Sequence, residues 1–306
     1  MDFISPSVIK RIASKYGFVF KKGLGQNFLS SQDVLEEIAI AAEIDDSGVI
    51  EIGPGFGVLT NELAKRAKKV LALEIDERLI PILADTLGEY DNVKVINQDV
   101  LKTDVKKLIE EEFGGEKVSV AANLPYYITT PIITGLIEGQ LPLKNLVVMV
   151  QKEVADRITA EPGSKNYGAI SVLCQYYTRT ELVTIVGADE FVPPPKVDSA
   201  VVKMAFRDEP AVSVKDEKMF FRTVKAAFSQ RRKTLLNCLV ANFPQNKEEI
   251  SEIMTSIGIE PTRRGETLSL EEFAKLSEAL GVTPSSQLRI FAKPDINGER
   301  RLGVCL

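Results

Sequence analysis

The feature that most narrows the fold is an alternation. The runs "VIEIG", "KVLALEID", "VKVINQD" and "VSVAAN" are apolar and of strand length, and segments with helical periodicity fall between them. Strands joined through helices run the same way, so the pattern predicts a mostly parallel sheet with helices on both faces. "LVVMVQ", "TELVTIVG" and the strand that follows "DEFVPPPK" extend the series. From Asp208 onward the pattern changes to helical segments over 215–242, 246–257 and 269–280. The last opens on Ser269 and Glu272 at capping-box spacing. We therefore divide the chain into an α/β domain over 1–207, a smaller all-helical domain over 208–283, and a tail over 284–306. The tail carries no functional assignment beyond a hairpin about "INGE".

A chain of 306 residues has room for one sizeable core and a smaller second one. No apolar run approaches the roughly 18 residues of a membrane span. The opening "MDFISPSVIKRIASKYGF" scatters charge through its apolar residues, which predicts an N-terminal helix rather than a signal sequence and a cytoplasmic protein. Cys174, Cys238 and Cys305 are too dispersed for a disulfide framework or a metal site, so no metal is expected. The sequence has no histidine. That excludes Ser–His and Cys–His nucleophile pairs and the commonest general base.

The net charge of −5 conceals two basic stretches. The lead over 1–30 carries Lys10, Arg11, Lys15, Lys21 and Lys22. Residues 218–237 carry six cations and no acid. On a helix, Phe220, Val224, Phe228 and Leu235 would bury one face and present Arg222, Lys225, Arg231, Arg232 and Lys233 outward, as a phosphate-binding face requires.

Chemistry concentrates at strand ends. "EIGPGFG" sets Gly53, Gly55 and Gly57 between a strand and a helix, where glycine permits a tight turn and close approach to a ligand. Glu74 ends the next strand and suits a ribose, and Asp99 after the third suits an adenine amino group. The glycine loop alone fits a nicotinamide or flavin enzyme equally well. "NLPYY" at 123–127 ends the fourth strand with a carboxamide, a rigid joint and two rings. Asn123 offers one hydrogen-bond acceptor, and the backbone carbonyl of Leu124 or Pro125 offers a second, aimed in advance by the proline.

"GQNFL", "EIGPGFG", "LEID", "NQDVL", "NLPYYI", "QKEVADR", "FVPPPKVDSAVV", "FSQRRKTL" and "RRGETLSLEEFA" occur in the order seen in the KsgA-type bacterial small-subunit ribosomal RNA adenine dimethyltransferases. The chain resembles that family from about Lys21 to Leu280. The resemblance implies a Rossmann-like S-adenosylmethionine-dependent methyltransferase domain with a helical domain behind it. The implied activity is dimethylation of two adjacent adenines in the 3′-terminal hairpin of 16S rRNA, within the 30S subunit or its precursor. It places Gln26, Asn27, Leu29, Gly53, Gly55, Glu74, Ile75, Asp99, Val100 and Asn123 around the cofactor. Tyr126 and Phe191 would hold the extracted base from two sides, while Tyr127 is expected in the core. Lys21 and Lys22 would join the cations of 218–237 on RNA. A monomer is expected. The alternatives are an Erm-type enzyme acting on 23S rRNA, a small-subunit assembly factor, and, from the glycine loop alone, a nicotinamide dehydrogenase.

Overall fold

The computed structural model describes residues 6–19 and 27–281. Lys21, Lys22, Gln26 and the tail 284–306 lie outside the described residues. In chain order come α1 (Pro6–Lys15), β1 (Phe28–Leu29), α2 (Gln32–Ala41), β2 (Gly48–Ile52), α3 (Val58–Ala64) and β3 (Lys69–Glu74). They are followed by α4 (Ile80–Thr86), β4 (Val93–Asn97), α5 (Val105–Phe113), β5 (Val118–Asn123), α6 (Thr129–Glu138) and β6 (Leu143–Gln151). The α/β part closes with α7 (Lys152–Ile158), α8 (Ala169–Tyr177), β7 (Thr178–Val186), β8 (Phe191–Val192) and β9 (Ser199–Phe206).

Among the described residues, seven strands form one sheet in the order β4-β3-β2-β5-β6-β9-β7. Strands β2 to β6 are parallel, and β9 runs antiparallel to both β6 and β7. Chain order runs outward from β2 in one direction through β3 and β4, then restarts at β5 on its other side. Ligands in open α/β sheets bind at the carboxyl ends of the strands beside such a reversal. Glu74 and Asn123 consequently flank the glycine loop of β2; they are not on adjoining strands, as reading the tips in sequence order suggests.

The central strands bury both faces. Val49, Val70 and Ala121 point into a core shared with Ile9, Leu35, Leu63 and Ile82 of α1–α4. Ile50, Leu71 and Val120 point the other way, against Leu108, Ile133, Ala155 and Leu173 of α5–α8. This explains why the strands read as continuous apolar runs rather than alternating ones. The sequence reading leaves α6 and α8 unassigned. The segment "TTPIITGLIE" of α6 is rich in β-branched residues and has a proline and a glycine, all poor helix formers, and burial of Ile132, Ile133, Leu136 and Ile137 overrides that preference.

The helical part comprises α9 (Glu217–Ala227), α10 (Leu235–Val240), α11 (Lys247–Ser256) and α12 (Leu270–Gly281). The single helix expected over 215–242 is broken. The Ser229 hydroxyl donates to the Ala226 carbonyl, and Thr234 caps α10 by accepting from the Asn237 amide. Arg231, Arg232 and Lys233 therefore sit in a turn between helices. The capping box at Ser269 and Glu272 forms as its spacing predicts. A third core joins Phe220, Leu239 and Phe273 to Tyr167, Val172 and Tyr176 of the α/β part. Tyr176 lies 4.9 Å from Phe220, and the Tyr177 hydroxyl donates to Glu217 at 2.6 Å. The sequence pattern changes near residue 207, but packing crosses that boundary.

Candidate active site

The turn after β2 is held in a left-handed conformation at Gly53 (φ 70°), Gly55 (φ 61°) and Gly57 (φ 84°). A Cβ on Gly55 would stand 2.6 Å from the Phe28 ring, whereas one on Gly53 would meet no protein atom within 4 Å. Gly53 instead lines a cavity together with Asn27, Leu29, Gly55, Glu74, Ile75, Asn123 and Tyr126. The cavity has a volume of about 100 Å³.

Glu74 is buried at the tip of β3. One carboxylate oxygen accepts from the Gly55 amide at 3.2 Å and the other from the Asp76 amide at 2.8 Å. Burial raises its pKa, and those two amides oppose the rise. Each carboxylate oxygen has further lone-pair capacity, so the group is positioned for a pair of hydroxyls. Ile75 beside it is 52% exposed and presents an apolar face to the cavity. These features fit the nucleoside half of S-adenosylmethionine: open space over a glycine backbone, a fixed carboxylate and a flat apolar contact.

At the end of β5, the Asn123 side-chain amide donates to the backbone carbonyl of Asn27 at 2.9 Å. The donor half of the carboxamide is thereby tied down, and its oxygen accepts nothing among the described residues. The two backbone carbonyls left open by the sequence separate here. Pro125 accepts from the Ile128 amide at 3.2 Å and from the Thr129 hydroxyl at 3.1 Å, both at the start of α6. Leu124 is anchored through its own amide to the Met149 carbonyl, and its carbonyl accepts no hydrogen bond among the described residues.

The aromatic residues need two corrections. Tyr127, expected in the core, is 55% exposed and lines the cavity. Phe191, expected to close over the base, is 3% exposed. It belongs to β8, pairs with Leu29 of β1 and packs in the core, so its ring is not presented to the cavity. Tyr126 is half-buried and lines the cavity; its hydroxyl lies 2.7 Å from Ser199 Oγ.

Asp99 and Val100 lie just past β4. Asp99 accepts from the Leu101 amide at 3.0 Å and faces the Lys102 ammonium at 3.6 Å, so its carboxylate works as a helix cap. Neither residue lines the cavity. Arg222, Lys225, Arg231, Arg232 and Lys233 are all exposed, as expected of a solvated cationic face. Arg222 lies over the Phe243 ring, and Arg231 donates to the Lys165 carbonyl at 2.6 Å.

The sequence reading overlooks Glu51. It lies in the middle of β2 at 1% exposure, lines the cavity, and has a carboxyl oxygen with no hydrogen-bond partner. Burial pushes its pKa up to about 8. Its signal was available: an acid inside an otherwise apolar strand must be paired or neutral. Among the described residues no group of acids and cysteines is arranged to hold a metal, and no helix is long and apolar enough to cross a membrane.

A parallel sheet with a glycine turn, a carboxylate at the next strand tip and an Asn-Leu-Pro-Tyr tip across the reversal defines a Rossmann-like methyltransferase. Residues 17–280 match the family model described as ribosomal RNA adenine dimethylase. The chain belongs to that family. It is 54% identical to the ribosomal RNA small subunit methyltransferase A of Geobacillus sp. (strain WCH70), covering 91% of this chain and 98% of the relative. The enzyme of the same name from Bacillus mycoides (strain KBAB4) is 56% identical, with 91% and 97% covered. A solved dimethyladenosine transferase from Plasmodium falciparum superposes with a TM-score of 0.69 at 28% identity, covering 81% of this chain and 95% of that one. The 23S rRNA methyltransferase ErmE gives 0.67 at 27% identity, over 83% and 99%. A second family model, described as PurT, C-terminal, matches residues 265–306, most of which lie outside the described residues.

Proposed function

We propose that this chain dimethylates N6 of two adjacent adenines in the 3′-terminal hairpin of 16S rRNA, acting as a cytoplasmic monomer on the small ribosomal subunit or its precursor. The cofactor is S-adenosylmethionine, which supplies an electrophilic methyl group on sulfur. The observation that carries the reading is the Asn123 carboxamide, with its donor side committed to Asn27 and its acceptor side available beside the Leu124 carbonyl.

An adenine amino group is a weak nucleophile because its lone pair is delocalised into the ring. Two acceptors on its N–H bonds draw the nitrogen towards a pyramidal shape and stabilise the positive charge that develops during attack. Asn123 Oδ1 and the Leu124 carbonyl supply them, already oriented, in the manner of an oxyanion hole with reversed polarity. Pro125 restricts Leu124 to extended conformations, and its own carbonyl is held by α6. The methylated amine is acidic enough to release its proton without a strong base, so the absence of histidine costs this mechanism nothing.

Tyr126 and the exposed Tyr127 provide the rings against which an extracted base stacks. Glu74 holds the ribose, Asn27 and Leu29 line the cofactor cavity, and the family resemblance assigns Gln26 to cofactor binding. Asp99 and Val100 are assigned to the adenine end of the cofactor; the Asp99 carboxylate keeps acceptor capacity beyond the one bond that caps the turn. Lys21, Lys22 and the exposed cations of the helical part position RNA through phosphates without reading its sequence.

The test is methylation of small subunits from an unmethylated strain, with mass analysis of the nucleosides and mapping of the modified positions. Two paired dimethyladenosines near the 3′ end of 16S rRNA are expected. Modification of 23S rRNA instead would favour the activity named for ErmE, and binding without transfer would favour the assembly-factor reading.

A further inference from the structure

We propose that Ser199 is a positioning residue that locks the Tyr126 ring in place, making it a preset wall for the extracted base while Tyr127 supplies the adjustable ring. This inference rests on the reading of the reaction as methyl transfer to an adenine drawn into the cavity. Ser199 opens β9, 73 residues along the chain from Tyr126. It is fully buried, and its hydroxyl meets the Tyr126 hydroxyl at 2.7 Å. The far end of the phenol is thus held by the strand, while Tyr126 lines the cavity. Tyr127 lines the same cavity but is 55% exposed, and its hydroxyl makes no hydrogen bond among the described residues. The two adjacent rings are therefore not equivalent: one is anchored at its tip and the other is not.

The anchor is itself rigid. Ser199 pairs with Gln151 of β6 and with Val186 of β7, so it has a strand on either side. The preceding Asp198 accepts from the Lys152 amide at its carbonyl, at 3.0 Å, and from the Ala188 amide at its carboxylate, at 3.2 Å. The same part of the sheet holds the open Leu124 carbonyl. The Leu124 amide donates to Met149 of β6 at 3.1 Å, and Met149 pairs with Val201 of β9. The acceptor and the ring are therefore each tied to one of two hydrogen-bonded strands, whose spacing is fixed. A base stacked on Tyr126 then presents its amino group at a set distance from the acceptors, and such orientation is what turns binding into rate. Without the Ser199 bond the ring is free to turn about its side-chain torsions. The hydroxyl pair acts by position, not by proton transfer. Burial raises the Tyr126 pKa above its ordinary value of 10.0, against the opposing Ser199 bond, so the phenol keeps its proton at neutral pH.

The test is a double-mutant cycle on single-turnover methyl transfer to unmethylated small subunits, using Ser199→Ala, Tyr126→Phe and the two combined. Each single variant should slow transfer by about 10–10²-fold at unchanged subunit affinity. The combined variant should be no slower than either, because both changes remove the same bond. The shape of the pH–rate profile should not change. Stability should behave differently. Tyr126→Phe leaves the Ser199 hydroxyl buried without a partner and should lower the melting temperature, and adding Ser199→Ala should recover most of that loss. Rate losses that multiply in the combined variant, wild-type rates in all three proteins, or a rate that recovers along with the melting temperature would overturn the positioning role. An altered pH–rate profile in Tyr126→Phe would overturn it in favour of proton transfer. Should Ser199→Ala fail to fold, Tyr126→Phe alone decides: the same rate loss is expected, and a wild-type rate would overturn the role. Failure of the wild type to methylate adenines would overturn the functional reading and this role with it.

Discussion

The side-chain amide of Asn123 donates to the backbone carbonyl of Asn27, joining the tip of β5 to the segment that leads into β1. One hydrogen bond fixes which half of the carboxamide faces the cavity. It also couples the acceptor to the chain that borders the cavity. Asn123→Ala should therefore lower kcat by about 10²–10³, some 2.7–4 kcal/mol in the transition state, as when one preorganised hydrogen-bonding group is removed. Binding to small subunits should persist, and single-turnover transfer together with particle binding separates the two.

Glu74→Ala should weaken S-adenosylmethionine affinity by about 1–3 kcal/mol, read by calorimetry. The same protein should show no affinity for NAD with or without the substitution. Unchanged affinity for S-adenosylmethionine would mean that the ribose is not bound at the β3 tip.

Gly53→Ala separates backbone strain from ligand contact. The new methyl meets no protein atom, but the residue must keep φ near 70°, at a cost of about 1–2 kcal/mol in stability. Because that methyl projects beside the cavity, cofactor affinity should fall along with the modest drop in melting temperature. Gly55→Ala, which drives a Cβ towards the Phe28 ring, should lose more stability.

The two aromatic corrections predict opposite behaviour. Phe191→Ala removes a fully packed ring and should cost about 3–5 kcal/mol of stability by urea unfolding. Tyr127→Ala removes an exposed ring and should leave stability within about 0.5 kcal/mol. Its effect should appear in kcat/KM for RNA.

Glu51 sets a pH dependence of stability. Below its ordinary pKa of 4.5 the carboxyl is protonated whether the chain is folded or unfolded. Between 4.5 and about 8 the folded chain retains a proton that the unfolded chain releases, so stability falls as pH rises through that window. Glu51→Gln should flatten this profile and gain stability relative to wild type at pH 8.5 more than at pH 5. Parallel urea midpoints for the two proteins across that range would contradict the assignment.

Much of this molecule was legible in its sequence because apolar period and turn chemistry act locally. The strands from "VIEIG" to "VSVAAN", the glycine turn and the Ser269–Glu272 cap all follow from neighbours in the chain. Part of what escaped the sequence depends on contacts between distant segments, and part on which of several local hydrogen bonds form. Helix α6 forms against its propensities because the sheet buries it. The break at Ser229–Thr234 reflects two side chains competing for backbone groups within a run whose apolar spacing reads as continuous. Phe191 is buried, rather than presented to the cavity, because β8 pairs with β1, a contact across more than 160 residues that no local pattern records. Likewise, that Asp99 caps a helical turn, and that Leu124 rather than Pro125 has the open carbonyl, depends on hydrogen bonds no spacing reveals.

The central claim is that two fixed acceptors at the end of β5 activate an adenine amine towards a sulfonium methyl. Its most direct measurement is single-turnover transfer from labelled S-adenosylmethionine to unmethylated small subunits, read as nucleosides by mass spectrometry, for wild type and Asn123→Ala side by side. The account predicts N6,N6-dimethyladenosine from wild type and a loss of about two to three orders of magnitude in rate for the variant, with the cofactor still bound. Unmodified adenosine from wild type, or equal rates for the two proteins, would contradict it.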